Sequence, residues 1–269
     1  MRMQMGQVIL ECITAYGADN FMNAIYILWL RQLKRYFRSK SRMVGSLGQP
    51  ILFLVALGFG FGPIFEKAGA GNYLQFITPG IIAMGILFTA VFTGIEIIWD
   101  RQFGFLKETM VAPVSRLQIM IGRTLGGATV ATIQGVIVFC LTLFVGFRPV
   151  SIAMIPVAIF FMFLIALAFT ALGTAIASVL DDMQGFQLIM NFVVMPTFFL
   201  SGALFPLQGL PGPIELIANL DPLTYGIDGL RGALSNASHL GLHTDLLVLL
   251  SMVTALVIAG SYLFSKMEI

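Results

Sequence analysis

Residues 96–123 read EIIWDRQFGFLKETMVAPVSRLQIMIGR and form the one long polar interruption between strongly apolar segments. It holds four of the chain's fifteen basic residues, which are Arg101, Lys107, Arg116 and Arg123. The flanking segments are long enough to cross a bilayer, since about 20 apolar residues span ~30 Å of hydrocarbon. We therefore expect a water-exposed connection between two membrane helices, which offers a binding surface to another protein.

The composition points the same way. The 269-residue chain is 58% hydrophobic and only 10% charged, whereas soluble domains carry roughly a quarter charged residues. Such a chain cannot cover a water-facing surface, so we predict an all-α polytopic membrane protein. We expect a single domain over residues 1–269, because no linker, low-complexity tract or repeat divides it. Cys12 and Cys140 form neither a disulfide framework nor a metal-ligand spacing.

Six apolar segments are predicted to span the membrane. The small-residue pairs Gly122/Gly126 and Gly173/Ala177 predict close helix packing. A proline inside the fifth span, Pro196, should kink it. The spans are approximately Val44–Phe65, Phe76–Trp99, Gln118–Phe147, Ile152–Leu180, Phe186–Leu204 and Leu246–Phe264.

The placement of lysine and arginine predicts the orientation, because cytoplasmic loops carry an excess of both. With the N-terminus inside, twelve of the fifteen basic residues fall on the cytoplasmic side, and only Lys67, Arg148 and Arg231 fall on the other. We therefore predict a multi-pass protein of the cell membrane with both termini in the cytoplasm.

Within the polar stretch we expect a short helix, Arg101–Met110, on the cytoplasmic side. Pro113 prevents it from running into the next span. Ser115 and Gln118 have the spacing of a capping box, in which each side chain satisfies a free backbone N–H at a helix start. A short amphipathic helix held in this way between two membrane helices can transmit a push.

Residues Phe21–Met43 predict a basic amphipathic helix. At about 100° per residue, its basic side chains share one arc, opposite an apolar side. This pattern favours a helix lying in the membrane interface with its cations facing anionic headgroups. A solvated basic face that only sets the topology is the alternative. The arc consists of Arg31, Lys34, Arg35, Arg38 and Arg42.

The segment Ser201–Leu234 is too apolar for an ordinary loop, yet four prolines interrupt it. No uninterrupted run in it could span the membrane, so we predict a re-entrant or interfacial helical hairpin on the outer side. Irregular backbone at that depth must be satisfied by protein or by a water-filled cavity. The three-residue spacing of Asp228 and Arg231 suits a pair on one helix.

The chain has the plan of a transporter without a visible energy source. It contains no phosphate-binding G-x-x-x-x-G-K-[ST] loop. An ion-driven carrier would keep ionisable groups inside its spans, and here Glu96 is the main exception. Two interpretations of Glu96 stay open, namely an interfacial residue paired locally and a residue that couples motion. The simplest resolution is that a second polypeptide supplies the energy.

An intramembrane enzyme would need a nucleophile with a base in reach. Ser201 with His239 or His243 is the only candidate pair. Ser201 is more simply a residue at a helix break, so we expect a transport subunit rather than an enzyme. A secondary carrier or channel without an ATPase is the other alternative.

Two motifs resemble those of the membrane subunit of ABC-2-type ABC exporters, in the branch that includes daunorubicin-type drug-resistance exporters. One is Trp99–Glu108 (WDRQFGFLKE) followed by Val111–Arg116 (VAPVSR). The other is Leu200–Pro206 (LSGALFP) followed by Leu220–Tyr225 (LDPLTY) and Arg231. The resemblance covers nearly the whole chain.

The resemblance implies export of an amphipathic or lipid-like substrate, such as a drug, lipid, glycolipid or polysaccharide. It implies a permease homodimer in contact with membrane lipid and two separate ATP-binding subunits, with ATP and Mg bound by those partners, no cofactor in this chain and no nucleic acid. It also implies a coupling helix between spans two and three. The residues we assign are Arg101, Gly104, Lys107, Glu108 and Pro113 for coupling, and Ser201, Gly202, Pro206, Pro222 and Tyr225 for an outer gate.

Overall fold

A computed structural model describes residues 21–67, 72–104, 114–207 and 211–266, without the side chain of Arg42. Over these residues the regular structure is helical, with no strand. The helices are α1 (21–38), α2 (Lys40–Lys67), α3 (Tyr73–Phe92), α4 (Ile95–Gln102), α5 (Arg116–Val145), α6 (Ile155–Val179, preceded by a 3₁₀ turn at Ile152–Met154), α7 (Met183–Leu200), α8 (Gly212–Leu220), α9 (Pro222–Ser235) and α10 (Leu242–Ser265).

Six helical segments are long and apolar enough to cross a membrane, which confirms the all-α polytopic prediction. The second of them combines α3 and α4. Each lies within a few residues of its predicted position. The segments are Met43–Lys67, Tyr73–Gln102, Arg116–Val145, Ile152–Val179, Met183–Leu200 and Leu242–Ser265.

The predicted N-terminal helix ends earlier than expected. Helix α1 stops at residue 38, and α2 begins at Lys40 after a break at Ser39. The Ser39 N–H donates to the Tyr36 carbonyl at 3.1 Å, so the chain makes a tight turn there. The prediction that one helix continues to Met43 is therefore wrong, and Arg42 belongs to α2 rather than to the basic arc of α1.

The second span bends at Thr93 and Gly94, between α3 and α4. A Cβ atom on Gly94 would lie 2.4 Å from the carbonyl oxygen of Gly173, and one on Gly173 would lie 2.6 Å from the carbonyl oxygen of Val91. Only glycine permits this backbone contact between the bend and α6. The packing predicted for Gly173 is confirmed.

The expected coupling helix begins differently from its prediction. Arg101 is in the last turn of α4, and Gly104 follows with a φ of +80°, in the left-handed region that glycine favours. A separate helix starting at Arg101 is therefore wrong. Lys107, Glu108 and Pro113, and the rest of that predicted helix, lie outside the described residues.

The start of α5 is confirmed. Ser115 Oγ accepts from the Gln118 N–H at 3.3 Å, and Gln118 Oε1 accepts from the Ser115 N–H at 2.6 Å, which completes the capping box. The helix ends at Gly146, whose φ of 115° satisfies a left-handed C-cap.

The core surrounds α3 and α6. In the most apolar 18-residue stretch of the second span (α3 and α4), 72% of the residues are buried, whereas the corresponding figure for the first span (in α2) is 11%. Helix α3 packs against α2, α5, α6 and α9, and α6 packs against α10. Helices α2, α7 and α10 contain the least buried spans, and each leaves large apolar side chains exposed, among them Phe59, Phe192 and Leu247.

The predicted hairpin segment contains two helices, α8 and α9, which meet at Asp221. Both are too short to span a bilayer. Asp221 caps α9 by accepting from the Leu223 N–H at 2.9 Å. Gly226 and Gly229 let α9 approach Ile165 and Phe161 of α6, where added Cβ atoms would lie within 2.5 Å of those side chains.

Candidate functional site

Two buried carboxylates, Glu96 and Asp100, lie one turn apart on α4, each only 4% exposed. Arg35 of α1 reaches both, with its Nη1 atom 3.5 Å from Glu96 Oε2 and 3.5 Å from Asp100 Oδ1. Arg31 lies 3.5 Å from Asp100 Oδ2. These ion pairs fasten α1 to α4.

A third cation comes from α5. Arg123 is 4% exposed and donates a short hydrogen bond to Asp100. Charges removed from water are tolerated only when paired and hydrogen-bonded, so Arg123 and Asp100 depend on each other. We call Arg31, Arg35, Glu96, Asp100 and Arg123 the α4 charge cluster.

Helix α1 also packs directly on α5. Cβ atoms added at Gly122 and Gly126 would lie 2.8 Å from side-chain atoms of Leu28 and Gln32, so these glycines form the seat of α1. Trp29 Nε1 donates to Thr129 Oγ1 at 3.0 Å. The predicted packing role of the glycine pair is confirmed, and its partner is the N-terminal helix.

The basic arc of α1 therefore has two faces. Arg31 and Arg35 turn partly inward to the charge cluster, with side chains 43% and 34% exposed. Lys34 and Arg38 are exposed. The expectation that the whole arc faces headgroups or solvent is corrected for Arg31 and Arg35. Glu96 is paired with another helix, α1, and not only with its own neighbours in the chain.

The end of α4 touches the connection between α6 and α7. Arg101 forms an ion pair with Asp181 at 2.5 Å, and Gln102 Nε2 donates to the Asp181 carbonyl at 3.3 Å. Trp99 Nε1 lies 2.6 Å from the sulfur of Met183. A displacement at Arg101 would therefore reach the start of α7 as well as α4.

At the other end of the helices, Ser201 and Gly202 follow α7. Ser201 Oγ donates to the Phe198 carbonyl at 2.8 Å. Gly202 has a φ of +72°, and its carbonyl accepts from Arg231 at 3.0 Å. The Arg231 guanidinium also stacks 4.3 Å from the Phe76 ring centroid, which joins α9 to α3.

Asp228 and Arg231 do not form the predicted helical pair. Asp228 accepts from Ser238 Oγ and from the backbone N–H groups of His239 and Leu240, at 2.9–3.2 Å. Burial lowers the pKa of Arg231, and the nearby charge of Asp228 opposes that shift. Each side chain thus binds a different neighbouring segment.

The predicted gate residues are only partly together. Ser201, Gly202 and Pro206 line a cavity of about 230 Å³. Pro222 begins α9 outside this cavity, and the Tyr225 hydroxyl donates to the Asn219 carbonyl at 2.8 Å, which ties α9 to α8.

The geometry at Ser201 suits a helix end better than a nucleophile. His239 lines the same cavity, but the Ser201 hydroxyl donates its proton to a backbone carbonyl. A general base would have to accept that proton instead. Ser201 therefore holds the turn after α7.

Residues 23–235 match the family described as ABC-2 type transporter. The chain belongs to this family. Its relatives include the putative transport permease ycf38 of Cyanophora paradoxa, 29% identical over 227 residues that cover 82% of this chain and 77% of the relative. Nodulation protein J of Rhizobium leguminosarum bv. trifolii is 27% identical over 208 residues, covering 77% and 76%.

As an ABC-2 permease, the chain is a multi-pass membrane subunit for transport and not an enzyme. Permeases of this family pair with ATP-binding subunits, so nucleotide binding belongs to a separate chain. Sequence reasoning included Glu96, Arg31 and Arg35 among its candidates but missed Asp100, Arg123 and Asp181. A signal for Arg123 was available, because an arginine two turns inside an apolar helix needs a partner.

Proposed function

We propose that this permease is the membrane subunit of an ATP-driven exporter of amphipathic or lipid-like substrates, acting as a homodimer with two ATPase subunits. The α4 charge cluster carries the proposal. It links the interfacial helix, the end of the second span and the start of the third, so that force applied beside Arg101 moves three helices together.

The coupling residues in this proposal are Arg101, Gly104, Lys107, Glu108 and Pro113. Gly104 ends α4 and lets the chain change direction. Arg101 contacts Asp181 before α7. Closure of the ATPases would push on the segment after Gly104, and the charge cluster would carry that displacement to α1 and α5.

The proposed outer gate comprises Ser201, Gly202, Pro206, Pro222 and Tyr225. Helix α9 fits between α3, α6 and α10, and Arg231 fastens it to the turn after α7. Tilting of α3 would shift Phe76 beneath Arg231, which offers a route from the coupling end to this gate.

The orientation in this proposal places both termini in the cytoplasm and the permease in the cell membrane, as the lysine and arginine distribution predicts. The apolar, poorly covered faces of α2 and α7 suit contact with lipid and with a second permease.

Reconstitution tests the proposal. The permease, co-expressed with a candidate ABC ATPase subunit, should copurify with that ATPase and move a labelled amphiphile in proteoliposomes only with hydrolysable ATP. Arg101→Ala should leave ATP hydrolysis while lowering transport. Lys266→Ala, directly after the C-terminal end of α10, is the matched control and should keep both ATP hydrolysis and transport. Transport by the permease alone down an ion gradient would instead establish a secondary carrier.

A further inference from the structure

A cavity of about 480 Å³ lies between α1, α2 and the bend from α3 to α4. The rings of Phe88, Phe92 and Trp99 form much of its wall. Small-molecule sites have volumes of roughly 300–1,000 Å³ and are mainly apolar with a few polar groups. This cavity has the size and lining of a ligand site.

A second cavity, of about 1050 Å³, adjoins the first at Trp99, which lines both. Among the described residues that line it, the one carboxylate is Asp100, which is already paired with Arg123. Positive charge is therefore in excess. The basic residues that line this second cavity are Arg31, Lys34, Arg35 and Arg38.

The two cavities together are graded in polarity. Phe88 lies on α3 and Trp99 on α4, so the first cavity extends across the junction of the two helices. The first cavity is walled by aromatic rings and also lined by a few polar side chains, which are Gln32, Ser46, Gln49 and Glu96. Glu96 is paired with Arg35 at 3.5 Å. Beyond Trp99 the lining becomes basic. An elongated apolar body with an anionic head at one end matches this order.

We propose that the two cavities, here called the α1 cleft, bind an anionic phospholipid of the membrane. One acyl chain would lie along Phe88 and Phe92, and the phosphate would face Lys34 and Arg38. Lysine and arginine form charge-assisted hydrogen bonds with phosphate, and tryptophan commonly lies at headgroup level. The bound lipid would fill the space between α1 and α2. This structural role does not require the ATPase.

The two tryptophans of the chain, Trp29 and Trp99, make this site measurable. Trp29 lines neither cavity. The full-length permease in nonionic detergent is titrated with phosphatidylglycerol carrying brominated acyl chains, which quench tryptophan fluorescence on contact. Phosphatidylcholine with the same chains is the matched lipid. Trp29→Phe reports Trp99 alone, and Trp99→Phe reports Trp29 alone.

Trp99 should be quenched saturably by both lipids. The phosphatidylglycerol concentration that gives half-maximal quenching should be at least about tenfold lower than the phosphatidylcholine concentration that does so, because two or more basic residues contact the anionic headgroup. Trp29 should respond equally to both lipids. Inorganic phosphate at matched ionic strength should not displace the lipid, since it lacks the apolar chain. Equal quenching of Trp99 by both lipids would overturn the proposal, and so would displacement by phosphate alone.

Two variants test the parts of the cleft separately. Gly45→Leu projects into the apolar cavity, whereas Gly60→Leu on the same helix meets open space outside it. Only Gly45→Leu should abolish quenching of Trp99. Lys34→Gln with Arg38→Gln should remove the preference for phosphatidylglycerol, whereas Lys40→Gln with Lys266→Gln, outside the cleft, should keep it.

Native mass spectrometry of the protein with both tryptophans present provides a second readout. Phosphatidylglycerol should stay bound to the parent protein and to the two control variants. It should be lost from Gly45→Leu and from Lys34→Gln with Arg38→Gln. Retention that is the same in all variants would overturn the proposal. Because no ATPase is present, these results are independent of the proposed export function.

Discussion

Arg123 of α5 and Asp100 of α4 form a buried ion pair within the apolar part of the molecule, each side chain no more than 6% exposed. Arg31 and Arg35 approach the same carboxylate from α1. Near the end of α4, one aspartate therefore holds α1, α4 and α5 together.

Replacing Arg123 by methionine should destabilise the permease by about 3 kcal/mol. Removal of one partner of a buried pair typically costs ~3–5 kcal/mol, and Arg31 and Arg35 still compensate Asp100 in part. Thermal unfolding of the purified protein measures this effect. Arg148→Met, at an exposed arginine, should change stability by no more than about 0.5 kcal/mol. Equal effects of the two substitutions would show that Asp100 does not need Arg123.

Adding one methyl group at Gly126 should loosen α1. The new Cβ atom would lie 2.8 Å from Gln32, and overpacking costs roughly 1–3 kcal/mol. Gly60→Ala on α2 meets nothing within 4 Å and should be neutral or slightly stabilising, since alanine favours helix. Gly126→Ala should lower the unfolding temperature, whereas Gly60→Ala should leave it unchanged or raise it slightly. A neutral Gly126→Ala would place α1 away from α5.

The ion pair of Arg101 and Asp181 should matter more for coupling than for stability. Asp181 is 79% exposed on its side chain, and exposed pairs contribute only ~0–1 kcal/mol. Asp181→Ala should therefore unfold like the parent protein yet lower transport per ATP hydrolysed. The charge exchange Arg101→Asp with Asp181→Arg should restore part of the coupling, measured as transport and hydrolysis in one preparation. No recovery in the exchanged protein would argue against a direct role for this pair.

The stability around α9 should depend on pH through Asp221. Burial raises the pKa of Asp221 from 3.8 to about 7. Because its pKa is higher in the folded state, the stabilising contribution is complete below about pH 4 and is lost as pH rises through about 7. Asp221→Asn keeps an oxygen for the Leu223 N–H and removes the charge. The variant should match the parent protein below about pH 4 and exceed it in unfolding temperature by an increasing margin as pH rises to 8.5. Parallel pH curves would contradict the assignment.

Replacing Ser201 by alanine should leave the transported substrate chemically unchanged. The substitution removes one hydrogen bond to the Phe198 carbonyl, which contributes about 1 kcal/mol. Mass spectrometry of substrate recovered from proteoliposomes checks for a reaction. A covalent change in the substrate that depends on Ser201 would support the alternative hypothesis of an intramembrane enzyme.

Features governed by near neighbours in the chain were predictable. The capping box at Ser115 and Gln118 was correct because both of its hydrogen bonds join residues three apart. The break after α1 was not predictable, since helix-forming residues continue through Lys40 and Arg42. Tyr36 on the last turn of α1 is fixed from outside, where its hydroxyl lies 2.6 Å from Gln134 of α5.

Long-range partners could not be derived from spacing. Asp228 and Arg231 have the separation of a helical pair, yet Asp228 finds three donors in the segment after α9. Arg231 instead reaches the Gly202 carbonyl and the Phe76 ring, 29 and 155 residues away. Once these groups are buried, the donors and acceptors that packing brings within reach determine their partners.

An all-α membrane protein with six spans follows from local sequence, because apolar length and helical capping depend on consecutive residues and on the thickness of a bilayer. Helix packing brings α1 onto Gly122 and Gly126, and it brings Arg31, Arg35 and Arg123 to Asp100. Those contacts join residues 23 to 94 positions apart. The partners of Asp100 are selected because an unpaired buried charge is costly, and that cost exists only after the helices have packed.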